Sequence, residues 1–253
     1  AEAASYHTAG TCTFYGTANS NQMLMELMGV HLPGTAFVNP DTPLRTALVK
    51  AAAIRAAELG KTNERPLAHI IDEKAVVNGV VGLMATGGST NHALHIPAMA
   101  AAAGIIIDWS DMAEISHVTP LLTRIYPNGS ADVNHFHAAG GMAFLTRELL
   151  NAGLLHPDTL TAQGDNLHAY TQAPWLDGDV LKWRDGQDQS LDLDVLRPAS
   201  DPFEAEGGIR LLDGSLGFGP NALVVNDIGI LSTMEGCEAQ PTWGAVVCDG
   251  DLG

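Results

Sequence analysis

Residues 10–22, GTCTFYGTANSNQ, place one cysteine in a loop of small and hydroxylated residues, directly before an amphipathic run that starts at Met23. Asn19 or Ser20 is placed to cap the helix that this run predicts. The free N–H groups and partial positive charge of a helix N-terminus favour a thiolate in the preceding loop. Cys12 is therefore a candidate metal ligand or nucleophile. A buried, inert cysteine is the alternative, because no second cysteine follows at CxxC spacing.

Length, composition and charge restrict the class of protein. The chain has 253 residues, of which 46% are hydrophobic and 16% are charged, as is usual for a globular protein of one or two domains. Its net charge of -17 argues against a nucleic-acid partner or an anionic membrane, but not against a small anion in a local pocket. Only 3 cysteines are present, too few for a disulfide framework, which favours a reducing cytoplasm. No run is long and apolar enough to span a membrane.

Apolar periodicity, caps and breakers predict an α/β fold. The predicted helices after the first are residues 44–59 (capped by Thr42 and ended by Gly60), 72–84, 93–103, 110–116 (capped by Ser110) and 142–151, and the predicted strands are residues 105–107, 121–126, 208–214 and 222–225. Gly79 and Gly82 lie inside a predicted helix, where glycine persists if a neighbouring segment approaches closely. A shift in composition near residue 200 predicts an N-terminal α/β domain, residues 1–199, and the start of a β-rich C-terminal domain, residues 200–253.

A second polar loop, GGSTNH at residues 87–92, opens the helix predicted over residues 93–103. Backbone N–H groups and hydroxyls at a helix N-terminus suit an anion or a sugar hydroxyl, although an ordinary turn and cap has the same composition. The loop lacks the lysine of a Walker motif and the spacing of a dinucleotide fingerprint.

The histidines and Asp108 have weaker contexts. Two pairs stand out, His92 with His95 and His135 with His137, and no glutamate accompanies either in a metalloprotease pattern. We interpret both pairs as structural or adjacent to substrate rather than as metal ligands. Asp108 follows a predicted strand, where a site carboxylate and a helix cap are equally consistent with the pattern.

Four stretches of sequence carry a family resemblance: residues 10–19 (GTCTFYGTAN), 85–92 (ATGGSTNH), 126–129 (YPNG) and 134–141 (NHFHAAGG). In residue identity, order and separation these stretches resemble the dihydroxy-acid/6-phosphogluconate dehydratase family, over about residues 1–217. The run CTFYG at residues 12–16 favours the phosphogluconate branch, because the dihydroxy-acid branch typically has a Cys-Gly-Gly-Met-Tyr run there.

The resemblance implies an iron–sulfur hydro-lyase of the Entner–Doudoroff route, which converts 6-phospho-D-gluconate to 2-dehydro-3-deoxy-6-phosphogluconate and water. Dihydroxy-acid dehydratase of branched-chain amino-acid synthesis is the alternative. Cys12 is implied to be one of three ligands of a 4Fe–4S cluster, and Mg²⁺ or Mn²⁺ would be held by residues outside this chain. Ser89, Thr90, Asn91 and His92 are predicted to bind the substrate, a small anionic sugar-acid phosphate. A homodimer is expected.

The resemblance also implies limits. The family's other two cluster cysteines lie upstream of the Cys12 motif, and its proton-abstracting serine lies in a C-terminal barrel. Cys237 and Cys248 do not match the family's ligand contexts, and Cys248 is predicted to be a buried strand cysteine. We therefore expect that this chain alone neither assembles a stable cluster nor turns over substrate, and we assign it no catalytic base. A non-catalytic remnant or a subunit-pairing module is the hypothesis of another class.

Overall fold

The computed structural model describes residues 12–126, 128–213, 222–226 and 247–248. The α-helices are α1 (Thr17–Leu27), α2 (Pro43–Thr62), α3 (Leu67–Ile70), α4 (Glu73–Thr86), α5 (His92–Ala102), α6 (Trp109–Val118), α7 (Val133–Ala139) and α8 (Gly141–Asn151), and a 3-10 helix follows at Leu167–Thr171. The strands are β1 (Gln172–Asp177), β2 (Val180–Asp185), β3 (Ile209–Asp213), β4 (Ala222–Asn226) and β5 (Val247–Cys248).

The strands form two small antiparallel sheets beside the helices. β1 and β2 make a hairpin in which Gln172 pairs with Asp185. β3, β4 and β5 lie in that order in the second sheet, in which Ile209 pairs with Asn226 and Leu223 pairs with Cys248. This mixture of helices and small sheets confirms the predicted α/β class.

Helix α1 packs against α4 at the centre of the core. Leu24 and Leu27 on α1 are fully buried. A side-chain carbon added at Gly79 would lie 3.0 Å from Met28 Cγ, and one added at Gly82 would lie 2.7 Å from the sulfur of Met23. The expectation that the glycines of α4 admit a close neighbour is therefore confirmed, and that neighbour is the apolar face of α1.

Caps fix the ends of α2 and α4. The Thr42 hydroxyl accepts a hydrogen bond from the Arg45 N–H (3.2 Å), and the Asp72 carboxylate accepts one from the Ala75 N–H (2.8 Å). The predicted stop at Gly60 is wrong, because α2 continues to Thr62 and Asn63 takes the left-handed conformation (φ 53°) that ends it.

Two predicted caps are wrong. Helix α1 begins at Thr17 after Gly16, so Asn19 and Ser20 lie within its first turns, where both side chains make contacts with other segments. Helix α6 is capped by Asp108, whose carboxylate accepts from the N–H groups of Ser110 and Asp111, so the prediction of Ser110 as the cap fails. Of the two interpretations of Asp108, the structure supports the helix cap.

Two predicted strands are also wrong, because neither segment joins a ladder with another strand among the described residues. Residues 105–107 form an extended connection in which Ile106 is 95% exposed. Residues 121–126 make only isolated bridges, to Glu204, Leu196 and Ala131, and the Leu122 N–H bonds the Ala85 carbonyl at the end of α4. The strands near residues 209–213 and 222–226 are confirmed. Cys248 lies in β5, but its burial, like all of Cys237, lies outside the described part of the chain.

Candidate active site

The loop that carries Cys12 is folded back onto the first turn of α1. The Asn19 side-chain amide donates to the carbonyls of Cys12 (2.8 Å) and Phe14 (2.6 Å). Cys12 is exposed, and its sulfur lies 3.9 Å from the Phe14 carbonyl oxygen. Asn19 therefore orients the backbone from Cys12 to Phe14 and leaves the thiol accessible.

The predicted substrate loop meets the same end of α1. The Thr17 hydroxyl lies 2.8 Å from the Ser89 hydroxyl and accepts a hydrogen bond from the Asn91 amide (2.7 Å). One turn further along α1, the Ser20 hydroxyl accepts from the Ser89 N–H (3.2 Å). Sequence reasoning missed Thr17, although Thr17 and Ser20 stand at i,i+3 spacing, which puts two hydroxyls on one helix face.

His92 supports this junction from inside the protein. It is fully buried, and its Nε2 lies 2.9 Å from the Ser20 hydroxyl. Burial, together with the nearby His95 ring, lowers the pKa of His92 to about 4, so the imidazole is neutral near pH 7. Of the four residues predicted to bind substrate, Thr90 and His92 are buried, whereas Ser89 is half-buried and Asn91 is exposed.

Two more of the matching stretches pack on these loops. The Tyr15 N–H bonds the Tyr126 carbonyl (3.1 Å), and the rings of Phe14 and Tyr126 lie 4.9 Å apart. The Asn128 amide donates to the Gly87 carbonyl (3.1 Å). Residues 126–129, apart from Pro127, which lies outside the described residues, therefore join the Cys12 loop to the 87–92 loop.

The stretch that contains the second histidine pair starts α7. The Val133 N–H bonds the Thr13 carbonyl (3.1 Å), which ties α7 to the Cys12 loop. His135 contacts the Asp132 carboxylate (Nδ1 to Oδ1, 2.8 Å) as part of the capping box at the N-terminus of α7. Of the two interpretations that the sequence left open, structural or adjacent to substrate, the capping-box contact favours the structural one.

Metal-ligating side chains are not grouped in the part of the chain that the structure describes. No group of three or more histidine, cysteine, aspartate or glutamate residues there is arranged to hold a metal ion. Within the same residues, no helix is both long enough and apolar enough to cross a membrane.

A family model described as dihydroxy-acid/6-phosphogluconate dehydratase N-terminal matches residues 1–170. This chain belongs to that family.

Within the family, the chain is more similar to the phosphogluconate branch. It is 60% identical over 220 residues to phosphogluconate dehydratase of Pseudomonas aeruginosa, which is 86% of this chain and 36% of that protein. It is 56% identical over 218 residues to phosphogluconate dehydratase of Escherichia coli K12, covering 85% and 36%. Dihydroxy-acid dehydratase of Oleidesulfovibrio alaskensis is 35% identical over 229 residues, covering 89% and 38%. The chain thus spans little more than a third of the length of these curated relatives.

Proposed function

We propose that this chain is part of a phosphogluconate dehydratase, a hydro-lyase that removes water from 6-phospho-D-gluconate to give 2-dehydro-3-deoxy-6-phospho-D-gluconate. The observation that carries the proposal is the junction at Thr17, which brings the loop of Cys12 and the loop of Ser89 and Asn91 to one end of α1. The identity to two phosphogluconate dehydratases, well above that to the dihydroxy-acid enzyme, favours the sugar-acid phosphate as substrate.

Cys12 suits the role of one iron–sulfur ligand. Its side chain is exposed, and its sulfur has only a weak contact to a carbonyl among the described residues, so it is free to bond iron. A cluster with an open iron position supplies a Lewis acid that assists departure of the substrate hydroxyl. Because no set of three ligating side chains exists in the described part of the chain, the other ligands must come from elsewhere.

The residues of this chain bind and orient the substrate. The exposed Asn91 amide and the half-buried Ser89 hydroxyl are the groups of the 87–92 loop that reach hydroxyls of the sugar acid. Thr17 holds both side chains in place, and neutral His92 holds Ser20, which in turn fixes the Ser89 backbone. Thr90 and His92, both buried, thus support the pocket from behind.

The remaining features of the proposal rest on the sequence. We propose a reducing cytoplasm, since 3 cysteines are too few for a disulfide framework, and a homodimer because of the resemblance to the family. Mg²⁺ or Mn²⁺ would be held outside this chain. The division into residues 1–199 and 200–253 also stays a proposal, and backbone bonds from Phe203 to Leu121 and from Gly208 to Met84 connect its two sides.

A chimera tests the function. In the P. aeruginosa enzyme, the segment that matches this chain over 220 residues is replaced by this chain's residues, and the protein is reconstituted anaerobically. We expect the chimera to dehydrate 6-phosphogluconate and not a branched dihydroxy acid. We expect Cys12→Ser to abolish turnover and the visible absorption of the cluster, because serine is a poor iron ligand here, while the control Thr62→Ser at the exposed end of α2 changes neither.

The outcomes separate the hypotheses. A folded chimera without activity would support the non-catalytic remnant and overturn the proposal. Preference for the dihydroxy acid would assign the chain to the other branch. Full cluster absorption in the Cys12→Ser chimera would remove Cys12 from the ligand set.

A further inference from the structure

Two arginines share one aromatic ring at the edge of the candidate active site. The guanidinium of Arg124 lies 4.8 Å from the centroid of Phe203, and that of Arg197 lies 4.4 Å from the same centroid. Both side chains, with Phe203, line a cavity of about 530 Å³ that also reaches Asn128 and Ser130. Stacking on one ring holds two like charges at the wall of one cavity.

Arg124 differs from most arginines of this chain in its bonding. Its guanidinium makes no hydrogen bond within the residues that the structure describes, whereas Arg45, Arg55 and Arg65 all donate to backbone carbonyls. Its nearest carboxylate, Glu204, is 3.8 Å away, which is beyond hydrogen-bond distance. The side chain of Arg124 is 49% exposed and lines the cavity, so its N–H donors can bond an anion there.

Besides Arg124, the titratable or charged residues that line the cavity are Arg197, His135, Asp192 and Asp194. Arg197 donates to the Leu193 carbonyl, and its nearest carboxylate, Asp201, is 4.0 Å away and 74% exposed. Such long, solvated pairs are weak. Asp192 and Asp194 also line the cavity and oppose an anion there. An anion in this cavity must therefore be held by direct hydrogen bonds to the guanidinium groups, because the nearby carboxylates repel it.

The cavity adjoins the sugar-acid loops through Asn128. This side chain donates to the Gly87 carbonyl, while its own carbonyl oxygen is buried and has no partner among the described residues. A buried acceptor of this kind calls for a donor such as a substrate hydroxyl. Arg124 lies two residues before Tyr126, whose ring contacts Phe14 of the Cys12 loop.

We propose that Arg124 and Arg197 bind the phosphate of a phosphorylated sugar acid, while Asn128 accepts a hydrogen bond from one of its hydroxyls. This inference rests on the proposed function and adds a direction: the acid end lies at the Cys12 loop and the phosphate lies past Asn128. Planar guanidinium groups bind a phosphate dianion with paired N–H donors, which suits a site in a chain whose net charge is -17.

Binding to the full 253-residue chain tests the site by calorimetry, with 6-phosphogluconate, gluconate and inorganic phosphate as ligands. We expect 6-phosphogluconate to bind more tightly than gluconate, and Arg124→Gln to weaken it roughly tenfold to hundredfold, because a charged donor is lost. Arg124→Lys keeps the charge but not the paired donors. Its affinity for 6-phosphogluconate should therefore lie between those of the unsubstituted chain and Arg124→Gln. The matched control is Arg184→Gln, since Arg184 stacks on Trp175 (5.3 Å) but does not line this cavity.

Several results would overturn the site. These are equal binding of gluconate and 6-phosphogluconate, or equal losses in Arg124→Gln and Arg184→Gln. Circular dichroism checks that each variant is folded. If Arg124→Gln does not fold, Arg124→Lys still tests the site. In an active chimera, Arg124→Gln should raise KM for 6-phosphogluconate, and an unchanged KM would reject the phosphate site while the proposed function stands. Phosphate binding that depends on Arg124 in an inactive chimera would support the site and reject the function.

Discussion

Helices α1 and α2 follow one another in the chain, and both carry many aliphatic residues, yet only α1 lies inside the protein. α1 has six buried residues, including the polar Asn19, Ser20 and Glu26. α2 is nearly twice as long and buries only Leu48, with Val49 60% exposed and Ile54 51% exposed. Apolar content therefore does not decide which helix is central.

The difference lies in the partners that each helix finds. The glycines of α4 let α1 approach closely, and every buried polar group of α1 has a bonding partner in another segment or loop. α2 is attached by arginines: the Nε of Arg45 bonds the Val38 carbonyl (2.9 Å), and that of Arg55 bonds the Ala162 carbonyl (2.8 Å). The helix that carries the site is thus the one whose position is fixed from several sides.

The largest expected contrast comes from truncating an aliphatic side chain in each helix. Leu24→Ala in α1 should lower the free energy of unfolding by about 2–5 kcal/mol, because Leu24 is fully buried and a cavity would remain. Ile54→Ala in α2 should change it by roughly 0.5 kcal/mol or less, as for exposed positions. Urea denaturation of both variants measures the contrast, and equal losses would mean that α2 is packed as tightly as α1.

A second contrast concerns a carboxylate in each helix. Glu26 in α1 is fully buried and accepts hydrogen bonds from the Gly34 N–H (2.6 Å) and the Ala36 N–H (3.0 Å). Burial raises the pKa of Glu26 to about 7, although these N–H groups and Arg45 act in the opposite direction. The folded protein therefore holds a proton on Glu26 that the unfolded chain releases between about pH 4.5 and 7.

The sign of the pH dependence follows from that difference. Stability contributed by protonated Glu26 is present below the unfolded pKa and is lost as pH rises through 7, by about 3 kcal/mol in total. The difference in free energy of unfolding, Glu26→Gln minus the unsubstituted chain, should therefore increase by about this amount from pH 4 to pH 8. His92 titrates in the opposite sense below pH 6.5, so only the difference between the two proteins isolates Glu26.

The matched carboxylate in α2 is Glu58, 3.6 Å from Arg55 at the surface. Removing it in Glu58→Gln should change stability by roughly 0–1 kcal/mol, because an exposed ion pair contributes little. A flat pH difference for Glu26→Gln would show that the N–H groups of Gly34 and Ala36 offset burial, so that folding leaves the pKa of Glu26 unchanged.

The same contrast explains what the sequence could predict. Thr42 and Asp72 gave correct helix starts, because a cap acts within one turn of its own helix. Asn19 and Ser20 have equally good capping chemistry but are used for contacts with Cys12 and His92, which are set by the tertiary fold. The strand predicted at residues 105–107 failed for the same reason, since its isoleucines have no sheet to join.

The candidate site shows the same division between local motifs and tertiary contacts. Cys12 and the 87–92 loop were identified from sequence motifs, and the structure places them at one end of α1. The sequence did not indicate Thr17 or Arg124, because the contacts that single them out are with residues far along the chain. Arg124 in particular is separated from Phe203 by 79 positions, and only the fold brings the guanidinium onto that ring.

The smallest expected contrast compares glycine-to-alanine substitutions in α4, at its contact with α1, and in α2. We expect them to change the free energy of unfolding in opposite directions. Gly82→Ala puts a methyl group against Leu27 and Met23, which are fully buried and have no solvent to move into. Overpacking costs about 1–3 kcal/mol, and the better helix propensity of alanine offsets about 0.5–1 kcal/mol of this. We expect a net loss of stability of roughly 1–2 kcal/mol, measured by thermal and urea denaturation.

Gly60→Ala is the matched change in α2, since Gly60 lies within that helix and a new methyl group there meets nothing within 4 Å. The propensity gain then stands alone, and stability should rise by about 0.5–1 kcal/mol. The same substitution thus separates helix propensity from packing. If both variants gained stability, Leu27 and Met23 would have room to move aside, and the close fit between α1 and α4 would not be what holds the site-bearing helix in place.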